Sequence, residues 1–202
     1  MLGLPTTEHR AIVELGVLVT GFLSYRNRPD ETLGVAQRTL QVAQAADEPR
    51  LVSAASFPLS SALHMMGRTA AATETLYRAS GLLRGRDDLE PDIRVLRQHG
   101  LSLMHTGRFE EGVEVLTRAL TACREQGNRF EEAHVLRGLS IVLELLGRTG
   151  EAADALTGAL KLYKALGLDS EADAVRKRLG KLRRSAQSAA PTSGRRRTSA
   201  RR

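Results

Sequence analysis

Tryptophan is absent from this 202-residue chain, aromatic residues make up only 3% of it, and cysteine occurs once. A lone thiol, Cys123, cannot close an internal disulfide, which fits a reducing compartment. An interior without large rings has to be built from Leu, Val, Ile and Ala, which suits closely packed helices, and no long Val/Ile/Thr run offers a strand. The most apolar stretch, Ala11 to Leu23, is interrupted by Glu14 and is shorter than the roughly 20 residues that cross a bilayer. The first ten residues lack the basic start and apolar run of a secretion signal. These absences predict a soluble, cytoplasmic protein.

Recognisable chemistry is missing too. The five histidines, His9, His64, His99, His105 and His134, show no spacing that suits a metal. There is no phosphate-cradling G-x-x-x-x-G-K-[ST] loop, no strand-borne G-x-G-x-x-G and no Ser/His/Asp or Cys/His arrangement. Glu110, Glu111 and Glu114, and Glu131 with Glu132, are expected to be solvated helix faces, and Cys123 an inert thiol. The expectation is a protein that is not an enzyme and takes no cofactor and no metal.

What the sequence does have is a repeat. Gly67-Arg68, Gly107-Arg108 and Gly147-Arg148 recur at a spacing of 40 residues. In phase with them stand Leu63, Leu103 and Leu143, then Ala72, Gly112 and Ala152, then Leu76, Leu116 and Leu156, then Ala79, Ala119 and Ala159. A glycine ends one helix at no steric cost, the small residues allow two helices to cross closely, and the leucines fill the space between. Each unit therefore reads as helix, tight turn, helix. A degenerate first unit turns at Asn27, and a last helix carries Leu179 and Gly180 in register with His99 and Gly100.

This phase predicts helices over 8–25, 30–45, 48–66, 69–83, 89–106, 109–125, 129–146, 149–165 and 169–184. Asp47, Asp88 and Asp169 are candidate N-caps. Pro58 falls inside the third helix and should kink it or delay its start.

The stretch Gly107-Arg108-Phe109-Glu110-Glu111-Gly112, with Leu116 and Ala119-Leu120, resembles the turn and second helix of a tetratricopeptide repeat. A period of 40 is similar to the longer bacterial variant found in large regulators of actinobacterial antibiotic synthesis and in related signalling ATPases. Leu162-Tyr163-Lys164-Ala165-Leu166-Gly167 through Ala174-Val175-Arg176 is similar to the closing repeat of such proteins. The resemblance spans about residues 8–184. It departs from the family at Leu96 and Leu136, where a large aromatic is common, and at Pro29. It implies an all-α, right-handed superhelical solenoid of about four and a half helix-turn-helix repeats over 1–184, followed by a disordered basic C-terminal tail over 185–202. It also implies a protein–protein interaction module of regulation or signalling, with a peptide or small-ligand sensor as the alternative.

In such solenoids the first helix of each hairpin lines a concave groove. The phase then places Ala54, Phe57, Ser61, His64 and Met65 of the second unit there, with Arg94, Arg97, Leu101, Met104 and His105 of the third. The fourth unit adds His134, Arg137, Ile141, Glu144 and Leu145, and the last helix Lys177 and Lys181. Arg97, Arg137 and Lys177 form a ladder that suits carboxylates of an acidic partner segment, since guanidinium pairs with them bidentately. Phe57, Met65, Leu101 and Met104 would supply apolar contact. The alternative is a row of ordinary exposed charges beside ordinary apolar edges.

The net charge of +7 is local. Eight basic and no acidic residues lie from Lys181 onward, leaving 22 basic against 23 acidic residues before it. Arg195, Arg196, Arg197, Arg201 and Arg202 could form an electrostatic arm on nucleic acid, or a tail that only aids solubility.

Overall fold

A computed structural model of the chain describes residues 6–82 and 92–189, with side chains described for 7–82 and 92–185. The described residues form nine helices and no strand: α1 (Thr6–Tyr25), α2 (Pro29–Ala45), α3 (Pro49–Met65), α4 (Thr69–Leu82), α5 (Ile93–His105), α6 (Phe109–Glu125), α7 (Arg129–Leu145), α8 (Thr149–Ala165) and α9 (Asp169–Ala189). Consecutive helices pack as antiparallel neighbours, giving four hairpins and a ninth helix in a solenoid. No helix among the described residues is long and apolar enough to cross a membrane.

The turns explain the Gly-Arg phase. Gly107 sits at φ +75°, a left-handed conformation that a side chain would strain. There the Arg108 N–H bonds back to Leu103 O at 3.0 Å and the Gly107 N–H to Met104 O at 3.2 Å, closing the helix end with the paired bonds of a Schellman motif. The arginine that follows reaches forward: Arg108 clamps Glu111 at 2.7 and 2.6 Å, and Arg148 clamps Glu151 at the same distances. These glutamates stand in the first helical turn, where backbone N–H groups favour negative charge. The hydrogen bond from its arginine holds each of them below the ordinary carboxylate range.

The expected helix bounds anticipated every connection, but left-handed turns were expected only within the hairpins. Asn27, Gly67, Gly107 and Gly147 turn within hairpins, and Asp47, Gly127 and Gly167 make the same left-handed turn between them. The connections therefore recur at steps of 20 residues, interrupted where residues 83–91 lie outside the described residues. Asp47, expected as an N-cap, is instead the left-handed residue of a turn at φ +52°, a conformation Asp tolerates better than most. Asp88 lies outside the described residues, as do 89–91 at the expected start of the fifth helix. Asp92 caps α5, accepting from the backbone of Arg94 and Val95. Asp169 is the first residue of α9 rather than its cap.

Two further expectations differ from the structure. Pro58 neither delays nor breaks α3, which runs from Pro49 to Met65 with Pro58 buried. Nearby, Ser60 and Ser61 both donate to Phe57 O. The last helix continues to Ala189, past the boundary expected at 184, as the helix formers Ala186, Gln187 and Ala189 allow. Arg195 to Arg202 lie outside the described residues.

The small residues let helices cross closely. A Cβ added at Gly100 would stand 2.5 Å from Leu116 Cγ and 3.1 Å from Gly112 O, so α5 and α6 approach through paired glycines. Leu103, Leu116, Leu143 and Leu156 are buried as expected, in a continuous core that extends from Ile93 to Leu179. The amino-terminal helices hold smaller clusters instead, the last of which joins Leu76 and Ala79 of α4 to Val95 of α5. In addition to the sequential packing, α1 touches α3, α3 touches α5 and α5 touches α7. The stack therefore closes on its odd-numbered helices, which form the inner layer.

Candidate functional site

Every position that the repeat phase assigns to the groove is at least partly accessible on the odd-numbered helices. Contacts between successive inner helices show that many share one face. The Arg94 guanidinium lies over the Phe57 ring at 5.7 Å. The His64 and His105 rings are 5.6 Å apart. Arg97 reaches Glu131 across α5 and α7, and Arg178 reaches Glu144 across α7 and α9.

The basic ladder is not uniform. Arg97 donates to Glu131 at 3.0 Å, and both side chains are largely covered, 18% and 13% exposed. Arg94 donates to the Asp92 carboxylate at 3.4 and 3.3 Å. Glu144 is held by Arg178 through bonds of 3.0 and 2.9 Å. By contrast Arg137 and Lys177 are exposed, with no carboxylate at ion-pair distance among the described residues. Accessible, un-neutralised positive charge is thus concentrated toward α7 and α9. Glu131 and Glu132, expected on solvated faces, are mostly covered and tie α7 to Arg97 and Arg124. Glu110, Glu111 and Glu114 are exposed.

Beside Arg137 lies an aromatic cluster that the repeat phase did not reveal. The fully buried Tyr163 and His134 share a hydrogen bond of 3.1 Å between the phenol oxygen and Nδ1. Burial raises the Tyr163 pKa, and the nearby Arg137 charge opposes this. Phe130, about half exposed, packs edge-on against His134 with ring centroids 4.6 Å apart. Burial first, and then the charges of Arg97 and Arg137, push the His134 pKa below its ordinary value, while Glu131 and Glu171 oppose this. His134 is therefore a neutral hydrogen-bonding group near pH 7. The available signal was Tyr163 itself, an aromatic at a core phase occupied by Cys123 one repeat earlier.

Toward α3 the groove becomes more apolar. Met65 is exposed, and Phe57, Leu101 and Met104 are partly so. His64 Nε2 lies 3.0 Å from Ser102 Oγ, which is 2.6 Å from Thr73 Oγ1. Burial, then His105, lowers the His64 pKa. His105 Nδ1 donates to Leu101 O at 2.9 Å. Where α1 meets α3, the groove runs into a cavity of about 420 Å³ with Val13, Val17, Leu18, Leu51 and Ala54 in its wall and Arg10, Glu14, Glu48, Arg50 and Arg94 around it.

Two polar residues break the leucine pattern elsewhere. Ser80 stands where Leu40, Leu120 and Leu160 occupy the same phase, and His99 where Leu59, Leu139 and Leu179 do. They lie 3.1 Å apart. Ser80 gives its own proton to Tyr77 O, so His99 Nδ1 donates to Ser80 and Nε2 is left as an acceptor. That Nε2 is buried without a partner among the described residues. It borders a cavity of about 260 Å³ between α4 and α6. Burial, then Arg108 and Arg118, lowers the His99 pKa to about 4. Cys123 is buried and its thiol is pushed up to about 11, first by burial and then by Glu131 and Glu132, so it stays protonated near pH 7.

The match to known proteins falls on this same region. Residues 92–165, covering α5 to α8, match the tetratricopeptide repeat family, and the solenoid as a whole has a tetratricopeptide-like fold. No curated protein matches the chain by sequence. Among solved structures it is similar to BtubC (BKLC) from P. vanneervenii, at 17% identity and a TM-score of 0.64, over 98% of this chain and 93% of that one. It is also similar to Bacillus thuringiensis PlcR, solved in complex with the peptide PapR7 and DNA, at 12% identity and a TM-score of 0.67, over 87% and 63%. A third likeness is to a signal transduction ATPase with a tetratricopeptide repeat sensor from Pyrococcus horikoshii, at 14% identity and a TM-score of 0.65, over 81% and 25%.

Proposed function

We propose that the protein is a non-catalytic interaction module of regulation or signalling that holds a segment of a partner protein in its inner groove, with an acidic side chain or terminal carboxylate of that segment at Arg137 and Lys177. The observation that carries this reading is the polarity of the groove. Arg94 and Arg97 are already matched by carboxylates, whereas Arg137 and Lys177 present accessible charge on adjacent inner helices. Phe57, Met65, Leu101, Met104 and His105 offer apolar and adaptable contact toward the other end, and Ile141 offers apolar contact one turn from Arg137. His64 and His134, both with lowered pKa values, add neutral hydrogen-bonding groups rather than further charge. The peptide in the PlcR structure and the sensor in the Pyrococcus horikoshii ATPase support peptide capture as a use of this fold. The cavity near Ala54 falls within the size range of small-ligand sites, which supports the sensor version of the same reading.

The test is binding to a peptide array in which acidic content and the free C-terminal carboxylate are varied independently. Binders should favour acidic or free-carboxylate ends. The double variant Arg137→Glu, Lys177→Glu should lose at least about tenfold in affinity, since a charge-assisted hydrogen bond contributes about 1.5–3 kcal/mol. Arg97→Gln should change affinity much less. Equal binding of wild type and double variant would refute the assignment.

A further inference from the structure

Helix α1 buries one face and leaves an apolar face bare. Val13 and Thr20 are fully buried against the solenoid. On the opposite side Leu15 is 62%, Leu18 71% and Phe22 62% exposed, and Ile12, Val19 and Tyr25 are exposed beside them. This is a continuous stripe rather than a scatter. At 3.6 residues per turn, Glu8, Ile12, Leu15, Val19, Phe22 and Arg26 fall within about 80° of arc, with Leu18 and Tyr25 along one edge. The Arg26 N–H bonds to Phe22 O at 3.0 Å, so the helical register holds through Arg26. The other charged pair of the helix, Arg10 and Glu14, lies off the stripe and is joined at 3.0 Å.

The stripe is charged only at its two ends, with opposite signs: Glu8 at the start and Arg26 at the finish. Neither has an ion-pair partner among the described residues. Its members are also symmetric about one midpoint. If a second copy of the helix is laid antiparallel across a two-fold axis, Glu8 faces Arg26 of the other copy, Ile12 faces Phe22, and Leu15 faces Val19. The same register pairs every stripe residue at once, as a self-complementary interface requires. A parallel arrangement would set Glu8 against Glu8 and Arg26 against Arg26.

We infer that α1 is a self-association surface, and that two copies of the chain pair antiparallel through Ile12, Leu15, Val19 and Phe22, with Glu8 and Arg26 closing each end. This uses neither Arg137 nor Lys177, so it stands or falls independently of the groove reading. The test is sedimentation velocity on the full chain across a concentration series. Wild type should move from monomer to dimer. Leu15→Asp with Phe22→Asp should be monomeric at every concentration, with helicity by circular dichroism unchanged. Glu8→Arg alone and Arg26→Glu alone should each weaken the dimer roughly tenfold, since two attractions become two repulsions in a symmetric pair. The double swap, Glu8→Arg with Arg26→Glu, should restore it. A wild-type monomer at all concentrations would overturn the inference, including one whose stripe captures a different protein. So would a dimer that survives the stripe variant, or one that ignores both single swaps.

Discussion

The two halves of the solenoid reach the same architecture with different materials. From α5 onward one core runs without interruption through Leu96, Leu103, Leu116, Val135, Leu143, Leu156 and Tyr163, all largely or fully buried. From α1 to α4 the interior is divided among small clusters around Val13, Ala36 and Leu76. Buried hydroxyls, Thr20, Thr32, Thr39, Ser56 and Ser60, fill positions between them and donate mostly to their own helix backbone. Alanine and threonine bury less apolar area than leucine, and so contribute less at about 25 cal/mol per Å². The turns differ in the same direction: in the amino-terminal half Asn27 and Asp47 take the left-handed position at two turns and glycine only at Gly67, whereas glycine takes it at Gly107, Gly127, Gly147 and Gly167. In a structure whose units touch only their neighbours, stability is set locally. The carboxy-terminal half, which matches the repeat family and carries Arg137, is the firm body. The amino-terminal half is softer, and it also bears the bare face of α1.

The largest test of this contrast is in the core. Leu116→Ala and Leu156→Ala should each cost about 2–5 kcal/mol, read from chemical denaturation, because the leucines are fully enclosed and the cavity cannot collapse. Leu63→Ala, in a small cluster beside alanines, should fall at or below the lower end. Equal losses would erase the distinction between the halves.

Acid should act chiefly through the histidines. His99 titrates near 4 in the folded chain, and His64 and His134 are also lowered, against about 6.5 unfolded. Between about pH 6.5 and pH 4 the unfolded chain takes up protons that the folded chain refuses, so stability falls as pH falls through that window. Below about 4 His99 is protonated in both states and its effect stops growing, and above about 7 it contributes nothing. Replacing the polar pair with the residues of the other repeats, Ser80→Leu with His99→Leu, should raise Tm and flatten this pH dependence. An unchanged slope would remove His99 from the account.

Smaller effects belong to the turns. Gly107→Ala should cost about 1–2 kcal/mol, because alanine is strained at that φ. Asn27→Gly and Asp47→Gly should each stabilise by up to about 1 kcal/mol. Destabilisation by both would show that their side chains matter more than their backbone conformation.

Much of this body was legible in the sequence because a repeat averages out local ambiguity. Gly67, Gly107 and Gly147 fixed the phase, and the phase predicted the buried leucines and the accessible face of each inner helix. It could not say which residue on a neighbouring helix would reach an accessible side chain. Arg97 and Glu131 are 34 residues apart, and their pairing depends on how α5 and α7 cross. The helix bounds anticipated connections at Asp47, Gly127 and Gly167, but not that each makes the same left-handed turn as the Gly-Arg positions, because the 40-residue period hides the 20-residue one when Asp replaces Gly. Tyr163 was hidden by the same logic, since a core position gives no notice that its occupant has a polar end.

The most direct test of the two-part body is hydrogen exchange measured residue by residue on the full chain, because amide protection reports local opening free energy. The account predicts that the slowest amides lie in α6, α7 and α8, and that those of α1 to α4 exchange earlier, through openings that leave the carboxy-terminal half intact. Uniform exchange of all helices through a single global opening, or slower exchange in α1 to α4 than in α6 to α8, would contradict it.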